Sequence, residues 1–99
     1  MHRFADIPLA YRFADVREIA EGMSGDRKYC VTTTGGERWL LLICSAALYD
    51  KRRRQLSQLF RLHQAGRAVP APISSGPCEG GRSFYALLEW TENIEAFIS

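Results

Sequence analysis

The sequence predicts an α+β domain, a five-stranded antiparallel sheet with one principal helix, and three observations carry that prediction. A Tyr, Val and Thr-rich run is joined to an apolar run by Gly35-Gly36; one long amphipathic segment, residues 48–65, follows; and two further strand-like runs then flank Gly80-Gly81. Apolar residues spaced for a sheet surface mark the strands, and a 3.6-residue period marks the helix.

Residues 1–15 scatter Phe4, Ile7, Leu9, Tyr11 and Phe13 among polar residues, and Pro8 argues against a central strand. They read as an arm that packs on the domain, with one helical turn ahead of the first strand. Residues 16–90 form the domain proper, and 91–99 a linker that opens a further helix. Val16 to Glu21 is the first strand, although Arg17-Glu18 suits a helix equally well.

Lys28 to Thr34 is rich in strand-favouring residues. Gly35-Gly36 then supplies a two-residue hairpin loop, both of whose central positions need positive φ. Arg38 to Cys44 is nearly all apolar, as suits a strand buried on both faces. If Thr34 and Glu37 flank the loop, Val31 pairs with Leu40 and Tyr29 with Leu42 on one face. Cys30 then lies opposite Leu41 on the other face while Cys44 shares the face of Leu40, so no disulfide between the two cysteines is expected.

Leu48 to Ala65 is the principal helix. Leu56, Leu59, Phe60 and His63 have the spacing of an inward stripe. Ser45 offers an N-cap and Gly66 a C′ residue. His63 reads as a partly buried, hydrogen-bonded histidine rather than a metal ligand or base, because no second histidine or cysteine lies at ligand spacing.

Val69-Pro70-Ala71-Pro72 forces an extended connection, since each proline fixes φ and biases its predecessor away from helix. Ile73 to Gly76 is a short strand, Glu79 to Arg82 a second hairpin turn, and Ser83 to Trp90 a strong final strand. Thr91 would cap a helix whose apolar face is Ile94, Phe97 and Ile98.

With 99 residues, 46% hydrophobic and 24% charged, the chain suits one globular domain with a modest core. Its longest uncharged apolar run, Trp39 to Leu48, is about half a membrane span. No membrane-crossing segment or signal peptide is expected, and the location expected is cytoplasmic. A net charge of +2 is too small to imply a nucleic-acid partner. Lys51-Arg52-Arg53-Arg54 reads as a solvated helix face or as a patch for a phosphate or an acidic partner. Cys30, Cys44 and Cys78 are odd in number and lack metal spacing, which reads as a reduced, intracellular protein.

The turn Gly22-Met23-Ser24-Gly25 has two readings. It can be an ordinary hairpin turn, or its two glycines and serine can bring backbone N–H groups and a hydroxyl into one concavity that suits phosphate oxygens.

The element order (strand, glycine turn, strand, hairpin, strand, helix, strand, hairpin, strand, linker) resembles the small N-terminal lobe of a protein-kinase-like fold. In particular GMSGDRKYCV, GGERWLLLI, YDKRRRQLSQLFRLHQAG, VPAPI and FYALLEW resemble the first lobe of bacterial aminoglycoside phosphotransferases, over roughly residues 11–92. The resemblance implies ATP-dependent phosphoryl transfer to an antibiotic hydroxyl, with magnesium as the nucleotide's companion. It implies that Gly22, Met23, Ser24 and Gly25 cover the nucleotide phosphates. Leu40 and a residue near Lys28 to Val31, with Tyr29 and Val31 as the candidates, roof the adenine, and Leu88, Glu89 and Trp90 form the linker strand along the adenine edge.

Two positions depart from the pattern. Where the family holds the phosphates with a third-strand lysine or arginine this chain has Leu42, and where the helix supplies that cation's glutamate partner it has Gln55. The two changes are consistent, since an inward glutamate without its cation would be a costly buried charge. Arg38, Lys28 and the Lys51 to Arg54 run remain as other cations that could reach a phosphate, although Arg38 lies about 13 Å along the strand from Leu42. The catalytic and metal-binding carboxylates that phosphoryl transfer needs lie in the family's second lobe, and nothing in this chain resembles them. Two functions follow as expectations. The chain is a nucleotide-binding lobe, inactive alone and completed by a second lobe; or it is a non-catalytic module that pairs with itself or another protein through the same cleft, with Trp90, Phe97 and Ile98 as an apolar patch.

Overall fold

The computed structural model describes residues 7–19, 27–66 and 70–91. Six elements follow one another: β1 (Phe13–Glu18), β2 (Arg27–Thr33), β3 (Arg38–Ser45), α1 (Tyr49–Gln64), β4 (Pro72–Cys78) and β5 (Ser83–Glu89). Short 3₁₀ turns occupy Ala10–Arg12, Ala46–Leu48 and Glu79–Gly81. The strands form one antiparallel sheet in the order β1-β2-β3-β5-β4, and α1 packs on one of its faces. The α+β class with a five-stranded sheet and one main helix is therefore as the sequence predicts. No helix among the described residues is long and apolar enough to cross a membrane. The glycine turn at residues 22–25 and the helix expected after Thr91 lie outside the described residues.

The β2–β3 hairpin differs from expectation by one residue. Thr33 N–H donates to the Glu37 carbonyl at 2.8 Å, and Gly36 N–H to the Thr33 carbonyl at 3.0 Å. The loop is thus the three residues Thr34-Gly35-Gly36, with only Gly36 left-handed at φ +88, a turn closed by a left-handed bulge residue. Tyr29 pairs with Leu41 and Val31 with Trp39, not with Leu42 and Leu40, while Lys28 pairs with Leu42 and Cys30 with Leu40. A one-residue slip exchanges the faces of a strand relative to its neighbour. Cys30 consequently shares the face of Cys44; four strand positions, about 13 Å, separate its partner Leu40 from Cys44, and all three cysteines are free.

The outer face of the sheet carries Tyr29, Val31, Trp39, Leu41, Ile43, Tyr85 and Leu87, packed with Ile7 and flanked by Leu9, Ala10, Phe13 and Ile73. The arm expected to pack on the domain does so, and Ile7 is only 2% exposed. Arg12 fastens it: its backbone carbonyl accepts from Thr34 N–H, its guanidinium pairs with Glu37 at 2.7 Å, and it lies 5.0 Å over the Trp39 ring. β1 starts at Phe13, three residues before the predicted start, with a bulge between Phe13 and Asp15.

The inner face carries Leu40, Leu42, Cys44, Phe84, Ala86 and Leu88 beneath Leu48, Leu56 and Leu59. Ser45 caps the 3₁₀ turn that precedes α1, accepting from Ala47 N–H at 3.2 Å, and Gly66 closes the other end at φ +84. The inward positions of α1 are Arg52, Leu56, Leu59 and Leu62; Phe60 and His63 are exposed. His63 is therefore not the partly buried residue that its spacing suggested. β4 lies at the sheet edge, so the flank of α1 that carries Phe60 overhangs that edge, beside Pro72 and Ser75.

Candidate functional site

The inner face beside α1 carries Leu40 and Leu88, two of the residues that the resemblance assigns to the adenine. There Leu40, Leu88 and Leu59 form one buried cluster with Ile19, Leu42, Leu56 and Trp90 around it. Leu40 and Leu88 are cross-strand partners, which is why β3 and β5 deliver them together. Both have no exposed surface.

The other expected site residues separate into three groups. Gly22, Met23, Ser24 and Gly25 lie outside the described residues. Tyr29 and Val31 sit in the outer-face core with Ile7, on the opposite side of the sheet from Leu40. The β2 residue that shares the Leu40 face is Cys30, its half-buried cross-strand partner. Glu89 ends β5 exposed, and Trp90 is half-buried beside Leu88. The Glu89 N–H donates to the Ala71 carbonyl at 2.9 Å and the Trp90 N–H to the Arg38 carbonyl at 3.2 Å, so these two backbone donors serve the sheet.

The residue opposite Leu42 is also different from expectation. Gln55 is exposed and accepts from the Arg52 guanidinium at 2.8 Å, while Leu56 is the helix residue that packs, like Leu42, on the two inner-face clusters. At the position that the resemblance assigns to an ion pair the structure therefore has two leucines packed on the same buried clusters.

Lys28 emerges here. It is 5% exposed, it lies on the inner face by strand alternation, and its cross-strand partner is Leu42. A lysine buried to that degree is uncommon, because its ammonium loses hydration that must be replaced. The residue also makes an interaction of its own. Lys28 was only one of several cations considered from the sequence. The signal that singles it out is the three-residue loop, since only that register puts Lys28 beside Leu42.

Comparison with family models, curated proteins and solved structures finds no match.

Beyond the cleft, Arg27 and Glu79 form a two-pronged ion pair at 2.6 and 3.0 Å. The Ser83 hydroxyl adds a third bond to the same carboxylate, at 2.5 Å. The guanidinium, then the hydroxyl, holds the Glu79 carboxyl down to about 2, and the same pairing raises the Arg27 pKa. Glu79 adopts φ +53, the only non-glycine residue with positive φ among those described. The pair ties the start of β2, directly after the glycine turn in sequence, to the β4–β5 turn. Among the described residues no cluster of three His, Cys, Asp or Glu side chains could hold a metal ion.

Proposed function

We propose that the chain is a nucleotide-binding lobe of the aminoglycoside-phosphotransferase and protein-kinase-like type, inactive alone and completed by a second lobe that supplies the catalytic carboxylates. The location proposed is cytoplasmic, in keeping with three free cysteines. The observation that carries the reading is Lys28, a buried cation directly across the β2–β3 pair from Leu42. The third strand has lost its basic residue; the neighbouring strand offers one at the same level of the same face. Lys28 would hold the nucleotide phosphates as a point charge, while the Leu40–Leu88 pair offers apolar contact to the base.

Calorimetric titration with magnesium-ATP at physiological salt tests this. Wild type should bind in the micromolar to low-millimolar range, and Lys28→Met should bind about tenfold or more weakly, since a lost charge-assisted bond costs roughly 1.5–3 kcal/mol. Adenosine should bind both proteins alike. No heat with wild-type protein, or equal ATP affinity for the two, overturns the reading.

A second reading has its own observation. Leu40 and Leu88 are closed to solvent, and a closed apolar cleft suits packing against protein better than admission of a flat base. On that reading the lobe is a non-catalytic module that associates through the Trp90 end of the cleft, and a concentration-dependent dimer without ATP binding supports it.

A further inference from the structure

The outer flank of α1 and the edge strand β4 border a shallow, open groove of about 390 Å³, lined by Arg53, Leu56, Ser57, Phe60, Arg61, Pro72 and Ser75. That volume lies at the low end of ligand-sized clefts, which run roughly from 300 to 1,000 Å³. Phe60 is the most exposed aromatic residue of the helix, at 51%, and with Leu56 and Pro72 it gives the groove an apolar surface. Arg53 and Arg61 stand along α1 two turns apart, with Phe60 between them in sequence, and both are exposed. α1 carries Lys51, Arg52, Arg53, Arg54 and Arg61 against Asp50 alone, a net +4 in a chain whose total is +2, so the remainder is net −2. The positive charge of the molecule is therefore concentrated on the element that walls this groove.

We propose that this groove docks an acidic peptide segment of a partner protein that also bears an aromatic or branched apolar anchor. The anchor would pack on Phe60, Leu56 and Pro72, and flanking carboxylates would pair with Arg53 and Arg61, the planar fork of arginine matching a carboxylate with two parallel bonds. Ser57 and Ser75 line the same groove with hydroxyls for the peptide backbone. Addition of the peptide to β4 as a sixth strand is disfavoured, because Pro72 and Pro77 lack the N–H donors a ladder requires. Side chains therefore define the docking. The groove shares Leu56 with the wall of the cleft assigned to nucleotide, but Arg53, Phe60 and Arg61 are not part of that cleft, and the proposal does not depend on the nucleotide assignment.

The probe is a fluorescein-labelled twelve-residue peptide with glutamates on both sides of a central Phe-Leu pair, read by anisotropy at low salt. Its lysine counterpart and a single-stranded RNA of matched charge serve as competitors. The expected result is saturable binding of the acidic peptide, weakened about tenfold by the paired charge reversal Arg53→Glu with Arg61→Glu, and several-fold by Phe60→Ser. Lys51→Glu with Arg54→Glu, which changes net charge equally on exposed positions away from the groove, should change affinity less than twofold. All of these positions are exposed, so the variants retain the fold. Equal loss with both charge-reversed pairs would mean diffuse attraction to a basic helix and overturn the proposal. So would RNA displacing the peptide at lower concentration than the unlabelled peptide itself, or a wild-type self-dimer that Arg53→Glu with Arg61→Glu abolishes.

Discussion

Replacing Glu79 by glutamine should remove most of the acid sensitivity that this carboxylate gives the fold. In the folded chain its pKa is held from an ordinary 4.5 down to about 2, chiefly by Arg27 and then by Ser83. Because the folded value lies below the unfolded one, the unfolded chain binds more protons between them. The stabilisation is therefore complete above about pH 5 and disappears as pH falls toward 2. The full displacement corresponds to at most roughly 3 kcal/mol. The Arg27 side chain is 37% exposed and that of Glu79 25%, so solvent screening reduces the expected value to about 1.5 kcal/mol. In a domain of this size that is a melting shift of roughly 6–12 °C. Glu79→Gln keeps the volume, the backbone conformation and an amide able to bond Ser83, but has no charge to lose. Urea denaturation followed by tryptophan fluorescence, at steps from pH 7 to pH 2.5, reads the difference between the two proteins. The gap should be near its full value at pH 7 and close to zero at pH 2.5. A gap that stays constant across that range would show that the ion pair does not set the acid response.

Three further outcomes are expected. Ile7→Ala should lower stability by about 2–5 kcal/mol in urea titration, because a fully packed side chain leaves a cavity in the outer-face core; a loss below 0.5 kcal/mol would mean that the arm is only draped on the sheet. Gly36→Ala should cost about 1–2 kcal/mol through backbone strain alone, since a Cβ there meets nothing within 4 Å but φ is +88, and Gly35→Ala should cost less. Leu42→Arg should destabilise the fold by about 2 kcal/mol or more, placing a second cation across from buried Lys28 and in the apolar inner-face cluster; unchanged stability in urea titration would show that the inner face can accommodate a charge there.

Element order, both glycine hairpins and the helix ends were legible because each has a local cause: strand-favouring side chains, positive-φ glycines, a serine cap and a terminal glycine. The faces were not, and the reasons are specific. Gly35-Gly36 is compatible with a two-residue loop or with a three-residue loop that recruits Thr34, and the local residues do not distinguish them. The Thr33 hydroxyl, which accepts from Glu37 N–H at 3.0 Å, favours the longer loop, and that one residue decides whether Tyr29 or Cys30 shares the face of Leu40. The inward stripe of α1 was misplaced for a different reason. Phe60 and His63 lie at helical spacing from Leu56, but burial depends on whether a sheet lies beneath, and the sheet ends at β4. Lys28 combined both difficulties, being a polar residue in a strand whose facing could be read only from the long-range register.

The packing of Ile7 against the last strand bears on how such a chain is made. The outer-face core gathers Ile7 with Tyr85 and Leu87, and β5 sits between β3 and β4 in the sheet, so the first described residue and the last strand belong to the same cooperative unit. During synthesis the β1–β2–β3 portion and α1 would emerge with the β5-facing edge of β3 still unpaired, and the sheet would close only once β5 had left the ribosome. Such late, sequence-distant pairing slows folding and prolongs the exposure of an apolar strand. A nascent chain of this kind is at its most vulnerable to aggregation just before β5 arrives.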